Sequence, residues 1–124
     1  MGKYLCAHNQ LKAHALAYHI YDTEFRGIHG GKIGAVNWCS HQYSYENETD
    51  DLQIENLFFE FNCGWVFNPI FSKEGDYPAV MKKMIAEENN SKGPSRMLLP
   101  QFSQFWINLL KYYWFFFDFL FSYV

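Results

Sequence analysis

Apolar side chains recur at three- and four-residue steps near the start of the chain. One face of this stretch carries Leu5, His8, Leu11, Ala15 and Tyr18. That spacing is typical of an amphipathic helix, and the alanines between these positions are strong helix formers. Gly27 and then Gly30-Gly31 follow, and glycines commonly end helices. The pattern predicts a helix from Tyr4 to Phe25.

A short apolar run follows this glycine-rich turn. Residues 32–38 read Lys-Ile-Gly-Ala-Val-Asn-Trp, and seven residues are too few for an ordinary helix. The run therefore predicts a buried strand, and the polar, tyrosine-rich residues 41–49 after it predict a loop.

Two further helices are predicted in the middle of the chain. The first begins at Thr49 or Asp50, which suit a helix N-cap, and its apolar positions are Leu52, Leu57, Phe58, Phe61 and Trp65. Asn68-Pro69 and Gly75-Asp76-Tyr77-Pro78 read as turns. The second helix runs from Pro78 to about Glu88, with Val80, Met81, Met84 and Ile85 on one side. Residues 89–95 read as a loop.

Helices that alternate with strands indicate βα units and a parallel sheet. Only one or two strands are visible in this pattern. Helices cover both faces of a parallel sheet, and such a sheet needs more strands than these. The sequence therefore predicts part of an α/β domain, rich in helix, with one or two parallel strands.

Charge and cysteine content exclude several classes of protein. Ten Lys and Arg residues against thirteen Asp and Glu residues give a net charge of −3. We therefore do not expect general electrostatic binding to nucleic acid, which depends on many Lys and Arg side chains that neutralise phosphates. The three cysteines, Cys6, Cys39 and Cys63, cannot all pair within one chain, and none lies in a Cys-x-x-Cys motif. We therefore expect neither a disulfide scaffold nor a structural zinc site.

The histidines and carboxylates indicate no reaction centre by their spacing. His8 and His19 share a helix face but stand about 16 Å apart at 1.5 Å per residue, too far for one ion. His14 points elsewhere, so we expect no metal site. The carboxylates include Glu24, Glu55, Glu60 and Asp76, and no spacing selects a pair of them.

The end of the chain is unusually aromatic. Of residues 105–124, sixteen are apolar and eleven are aromatic. Asn108, Lys111, Asp118 and Ser122 interrupt the stretch, and a charge near the middle of a membrane span costs about 2.5–3.5 kcal/mol. A buried core or an exposed apolar tail is therefore favoured over a membrane span.

Several motifs in order resemble family-one glycoside hydrolases, especially the insect β-glucosidase and myrosinase-like members. Tyr4–Asn9 with Ala13-His14-Ala15 resembles the family's helix after strand four, and residues 31–34 resemble its fifth strand. The most specific match is Gly64-Trp65 followed by residues 68–78, Asn-Pro-Ile-Phe-Ser-Lys-Glu-Gly-Asp-Tyr-Pro. Leu99-Pro100 with Phe102-Ser103 resembles the segment before strand six.

This resemblance implies a fragment of a (β/α)₈ TIM barrel, roughly helix four to strand six. It also implies hydrolysis of β-glucosides or thioglucosides with retention, by two glutamates and without a cofactor. Residues 1–104 are the predicted barrel segment, and residues 105–124 are a divergent tail. The carboxyl end of the predicted strand would face the active-site mouth of a barrel. Asn37 and Trp38 are therefore weak candidates for substrate contact, with ordinary strand packing the favoured interpretation.

The family's catalytic motifs do not occur in this sequence. Its acid/base lies in Thr-x-Asn-Glu-Pro and its nucleophile in Thr-Glu-Asn-Gly, and neither stands in the 124 residues. No residue here is therefore assigned a catalytic role. Two hypotheses follow: a glycosidase segment that is inactive alone, or a non-catalytic binding or membrane-tethered module that uses its aromatic tail. The compartment is not predicted.

Overall fold

The computed structural model describes residues 2–40, 49–92 and 99–111 of the chain. Within these ranges the secondary structure is helical, and no strand is present. The helices are α1 (Gly2–Ile20), α2 (Arg26–His29), α3 (Thr49–Phe59), α4 (Trp65–Phe71), α5 (Ala79–Lys92) and α6 (Gln104–Leu110). Two π-helical turns, Tyr21–Phe25 and Glu60–Gly64, join α1 to α2 and α3 to α4.

The predicted first helix is confirmed, and it extends further at both ends. Its buried face consists of Tyr4, Ala7, His8, Leu11, Ala15 and Tyr18. Leu5, predicted on that face, is exposed instead. The helix ends at Gly30, whose φ of +61° is left-handed and whose N–H donates to the Arg26 carbonyl at 2.8 Å. Glycine occupies that backbone conformation without a steric penalty.

Residues 32–38, predicted as a strand, are not a strand in the structure, but their burial follows the pattern of one. No ladder forms there among the described residues, yet burial alternates residue by residue from Gly31 to Trp38. Ile33 and Ala35 pack against the core, whereas Val36 and Trp38 are largely exposed. This period of two is typical of a strand with one covered face. The apolar pattern sets the alternation, but a ladder needs a neighbouring strand, and none lies in the described ranges.

The structure contains one disulfide that the sequence analysis did not predict. Cys39 and Cys63 are bonded, with their Cα atoms 5.4 Å apart across 24 residues of sequence. Asn62 supports the same junction, since its side-chain amide donates to the Ser40 carbonyl at 2.9 Å and to the Ser40 hydroxyl at 2.8 Å. The pairing follows from how the residues 31–40 cross the second π turn, which sequence spacing does not reveal.

The middle helix begins at Thr49 as predicted but continues past the expected turn. Pro69 lies inside α4 and is buried with Ile70. Proline cannot donate to the carbonyl four residues earlier. That carbonyl belongs to Trp65, at the junction with the π turn, where the helical hydrogen-bond pattern is already irregular. Burial therefore outweighs the turn preference of Asn68-Pro69.

The Gly75–Pro78 turn is confirmed, and it packs closely against α6. Gly75 has a φ of +67°, and an added Cβ would lie 2.9 Å from the Ile107 carbonyl oxygen. The following helix α5 buries Met81 and Ile85, as predicted, while Val80 and Met84 are largely exposed. It runs to Lys92, so the loop predicted from residue 89 is wrong for 89–92, and residues 93–95 lie outside the described ranges.

Two apolar clusters form the interior of the described chain. The larger joins α1, α4, the turn and α6 through Leu11, Ala15, Tyr18, Ile70, Tyr77, Phe102 and Leu110. The smaller contains Tyr4, Met81 and Ile85. Of the aromatic tail, only residues up to Lys111 are described, and none of the described helices has the length and apolar character to cross a bilayer.

Candidate functional site

A buried polar cluster connects three separate segments of the chain. His8 of α1 has its Nδ1 atom 3.0 Å from the Tyr77 hydroxyl, a hydrogen bond between residues 69 positions apart. The His8 ring stacks on Phe102 with centroids 4.1 Å apart, and Tyr77 packs on the same ring at 4.9 Å. The cluster thus holds α1, the Gly75–Pro78 turn and the segment before α6 against one another.

Burial sets the protonation of this cluster. Desolvation lowers the pKa of His8, the positive charge of Lys12 lowers it further, and Asp76 opposes both. Desolvation and the charge of Asp76 raise the pKa of Tyr77. Both side chains are therefore neutral near pH 7, and a neutral pair suits a buried hydrogen bond.

A cleft of about 440 Å³ opens beside the cluster. Tyr77 and Phe102 form part of its wall, Ile85 and Leu99 add apolar surface, and Asp76 forms an ion pair with Lys82 at 2.7 Å. Because His8 and Tyr77 satisfy each other and Asp76 is paired, these groups position the fold. They leave no free acid or base aimed at a ligand.

The two predicted site residues lie at a second cleft. This cleft measures about 570 Å³ and runs between α1, residues 34–37 and the start of α4. Asn37 lies on its wall, whereas Trp38 does not line it and is 80% exposed. Contact of either residue with a sugar stays a prediction.

Glu60 is the carboxylate with the most distinctive surroundings. It lines a third cleft of about 670 Å³, formed with α3 and with Val80 and Met84 of α5. One oxygen, Oε2, is buried and has no hydrogen-bond partner among the described residues. Retaining glycoside hydrolysis requires two carboxyl groups about 5–5.5 Å apart. Asp76 forms its ion pair with Lys82 at the first cleft, whereas Glu60 lines the third, so these two carboxylates line different clefts.

The histidines serve different structural roles. His8 is in the buried cluster, and His19 donates from Nε2 to the Leu109 carbonyl at 2.9 Å, which links α1 to α6. Burial lowers the pKa of His14. Within the described ranges no group of three His, Cys, Asp or Glu side chains is arranged to hold a metal ion.

Sequence reasoning missed the His8–Tyr77 pair and the disulfide. His8 was placed correctly on the buried helix face, and a histidine there needs a polar partner. That requirement is a signal, but it does not identify a tyrosine 69 residues away.

Comparison with known proteins places these features in a family context. The family model described as "Glycosyl hydrolase family 1" matches residues 1–116. Klotho of Rattus norvegicus is 38% identical over 104 residues, which is 82% of this chain and 9% of that protein. Myrosinase 1 of Brevicoryne brassicae is 32% identical over 111 residues, which is 89% of this chain and 24% of that protein.

The fold agrees with this match. A solved structure of aphid myrosinase superposes with a TM-score of 0.79 at 32% identity, over 87% of this chain and 23% of that one. The chain therefore spans about a tenth to a quarter of the length of these relatives.

Proposed function

Because the chain belongs to glycosyl hydrolase family 1, we propose that it is a segment of a glycosidase scaffold and does not hydrolyse glycosides on its own. The observation that carries this proposal is the sequence itself. Neither of the two glutamate motifs that the family resemblance assigns to catalysis occurs in the 124 residues. Cleavage with retention needs an acid/base and a nucleophile on opposite sides of the glycosidic bond.

The position of the segment in a barrel is part of the proposal. The long helix from Gly2 to His29 corresponds to the helix after strand four, and residues 31–38 correspond to strand five. The alternating burial of residues 31–38, with Ile33 and Ala35 on the helical core, supports this assignment. The opposite face, with Val36 and Trp38, then belongs to the barrel interior, because barrel strands alternate between interior and helix layer.

The substrate class is inferred for an intact parent protein rather than for this chain. Myrosinase 1 is among the relatives, and the quoted motifs resemble β-glucosidases and myrosinases. We therefore assign the parent a β-glucoside or thioglucoside as substrate. Trp38, at the carboxyl end of the proposed strand and on its interior face, lies where a barrel enzyme contacts its substrate, whereas Asn37 shares the face of Ile33 and Ala35.

The test is a turnover assay of the purified chain with an aryl β-glucoside and an aryl β-thioglucoside. Aphid myrosinase, assayed in parallel, is the positive control. We expect no release of the aglycone above buffer for this chain. Turnover that is abolished by Glu60→Gln or by Asp76→Asn, in a variant that keeps its helical circular dichroism, would overturn the proposal.

The aromatic content of residues 105–124 supports a second candidate, a non-catalytic module tethered through its tail. Phe105 is 63% exposed, so the apolar surface at the start of the tail is not covered by the described core. Alkaline carbonate extraction of membranes from expressing cells separates the two candidates. Retention in the membrane pellet supports the tethered module, and release into the supernatant contradicts it.

A further inference from the structure

Residues 31–38, here called the edge segment, have the burial pattern of a strand but no strand beside them within the described ranges. The backbone groups from Gly34 to Trp38 make no hydrogen bond to another described residue. Unpaired N–H and C=O groups along an extended chain are a template for pairing with another strand. The second cleft opens beside Gly34 to Asn37, so the core leaves room there.

The even-numbered residues of the edge segment supply an apolar face and one complete edge. Val36 is fully exposed and Trp38 is 80% exposed, on the face turned away from the core. In an extended chain, the N–H and C=O groups of one residue point to one edge, and those of the next residue point to the other. The edge of Gly34, Val36 and Trp38 therefore does not use the backbone of Ile33, which packs on the core and has a further interaction.

We propose that this edge binds the same edge of a second copy of the chain, as an antiparallel pair of strands with Val36 on the two-fold axis. In this register Val36 lies opposite the partner's Val36, and Trp38 lies opposite the partner's Gly34. Both copies use the same surface, so the pairing is isologous and closes at two chains.

Side-chain chemistry favours a second copy in this register. Two β-branched side chains meet at the axis, and the indole of Trp38 covers the bare backbone of the partner's Gly34, both stabilising cross-strand arrangements. Lys32 carries the only charge in the edge segment. It lies opposite the partner's Ser40, so no like charges face each other. Paired residues also share the same face, so each copy keeps its helical core on one side of the strand pair.

The size of the surface sets the expected strength of the dimer. A buried aromatic side chain contributes about 150–250 Å². Two copies of Trp38 and Val36 with the paired backbone therefore bury less than about 1,200 Å², the lower end of stable protein–protein interfaces. We expect a weak, reversible dimer with a dissociation constant in the micromolar range or above.

This inference does not rest on the proposed function. In an intact barrel a neighbouring strand of the same protein would occupy this edge, so the pairing concerns the chain of 124 residues as it stands. Its test measures association and contains no glycoside, so the turnover assay and this test fail independently.

Crosslinking through introduced cysteines tests the register. The full chain carries Cys6→Ser, because Cys6 is an exposed free thiol. Val36→Cys places two thiols at the axis, where facing Cα atoms lie about 5.5 Å apart, within the range of a disulfide. Trp38→Cys is the matched control, because its two thiols lie four residues apart along the strands, roughly 14 Å. Mild oxidation is followed by non-reducing electrophoresis, and peptide mass spectrometry identifies the linked positions.

Sedimentation velocity measures association of the parent chain without oxidant, from about 5 to about 500 µM. Val36→Lys places two like charges face to face at the axis, which is destabilising. Ile54→Lys is its control, since Ile54 is 64% exposed on α3, outside the edge segment. Circular dichroism checks that both variants keep the helical content of the parent chain.

We expect a dimer that increases with concentration, and crosslinking of Val36→Cys at least tenfold faster than that of Trp38→Cys. Mixing chains with Gly34→Cys and chains with Trp38→Cys should restore fast crosslinking, since an added Cβ at Gly34 meets nothing within 4 Å. Val36→Lys should stay monomeric, and Ile54→Lys should dimerise like the parent chain. A monomeric parent chain across the whole range, equal crosslinking of the two single-cysteine variants, or association that survives Val36→Lys would each overturn the proposal.

Discussion

Replacement of Tyr77 by phenylalanine removes one hydroxyl from the buried cluster and leaves its ring in place. Tyr77 is 3% exposed and His8 is 7% exposed, so water does not readily replace the lost partner. A typical hydrogen bond contributes about 0.5–1.5 kcal/mol, and a buried polar atom without a partner costs about 1–3 kcal/mol. We expect Tyr77→Phe to lower the free energy of unfolding by about 2 kcal/mol, a factor of about 30 in the folding equilibrium.

Urea unfolding followed by far-ultraviolet circular dichroism measures this change. Tyr4→Phe is the matched control, because Tyr4 is also buried but its hydroxyl has no hydrogen bond within the described residues. Its ring packs edge-on against Trp65, and that contact is kept. We expect the control to lose less than about 0.5 kcal/mol. Equal effects of the two variants would refute the argument that the His8–Tyr77 hydrogen bond stabilises the fold.

Three further outcomes are expected from other parts of the molecule. Burial lowers the folded-state pKa of His8 and His14, so the unfolded chain binds more protons than the folded chain below about pH 6.5. The free energy of unfolding therefore falls as the pH drops from there to the folded-state pKa values. Urea midpoints measured across this range should fall less steeply for His8→Gln, and an unchanged slope would contradict the assignment. Gly75→Ala should lower the free energy of unfolding by at least about 2 kcal/mol, because alanine is strained at positive φ and its Cβ would press on the Ile107 carbonyl. A free energy of unfolding within about 0.5 kcal/mol of that of the parent chain would contradict this expectation and show that the turn relaxes freely. Met81→Ala should cost about 3 kcal/mol, because the side chain is completely buried; a loss below about 1 kcal/mol in the same urea assay would mean that the smaller cluster collapses around the cavity.

Local patterns in the sequence predicted helices α1, α3 and α5 and the glycine turn. The three- and four-residue steps from His8 to Tyr18 define a helix face that the structure buries almost completely. Gly75 stands where the backbone needs positive φ, and the turn forms there. These features depend on interactions within a few residues, so one stretch of sequence contains the information that determines them.

The errors lie where contacts between distant residues decide the outcome. Residues 31–38 have the burial alternation of a strand, but a ladder depends on a neighbouring strand. Pro69 is helical because the surrounding core buries it, although Asn68-Pro69 favours a turn locally. The same reason explains why the weak site residues Asn37 and Trp38 separate, one toward a cleft and the other toward the exposed face.

By itself, then, the sequence determined helices α1, α3 and α5, the family to which the motifs belong, and the lack of both catalytic glutamate motifs. Only the tertiary structure decided which side chains meet: His8 with Tyr77 across 69 residues, and Cys39 with Cys63 across 24. The physical reason is the range of the interactions. Backbone hydrogen bonds and turn preferences act between near neighbours in the chain, whereas buried hydrogen bonds and disulfides depend on how whole segments pack.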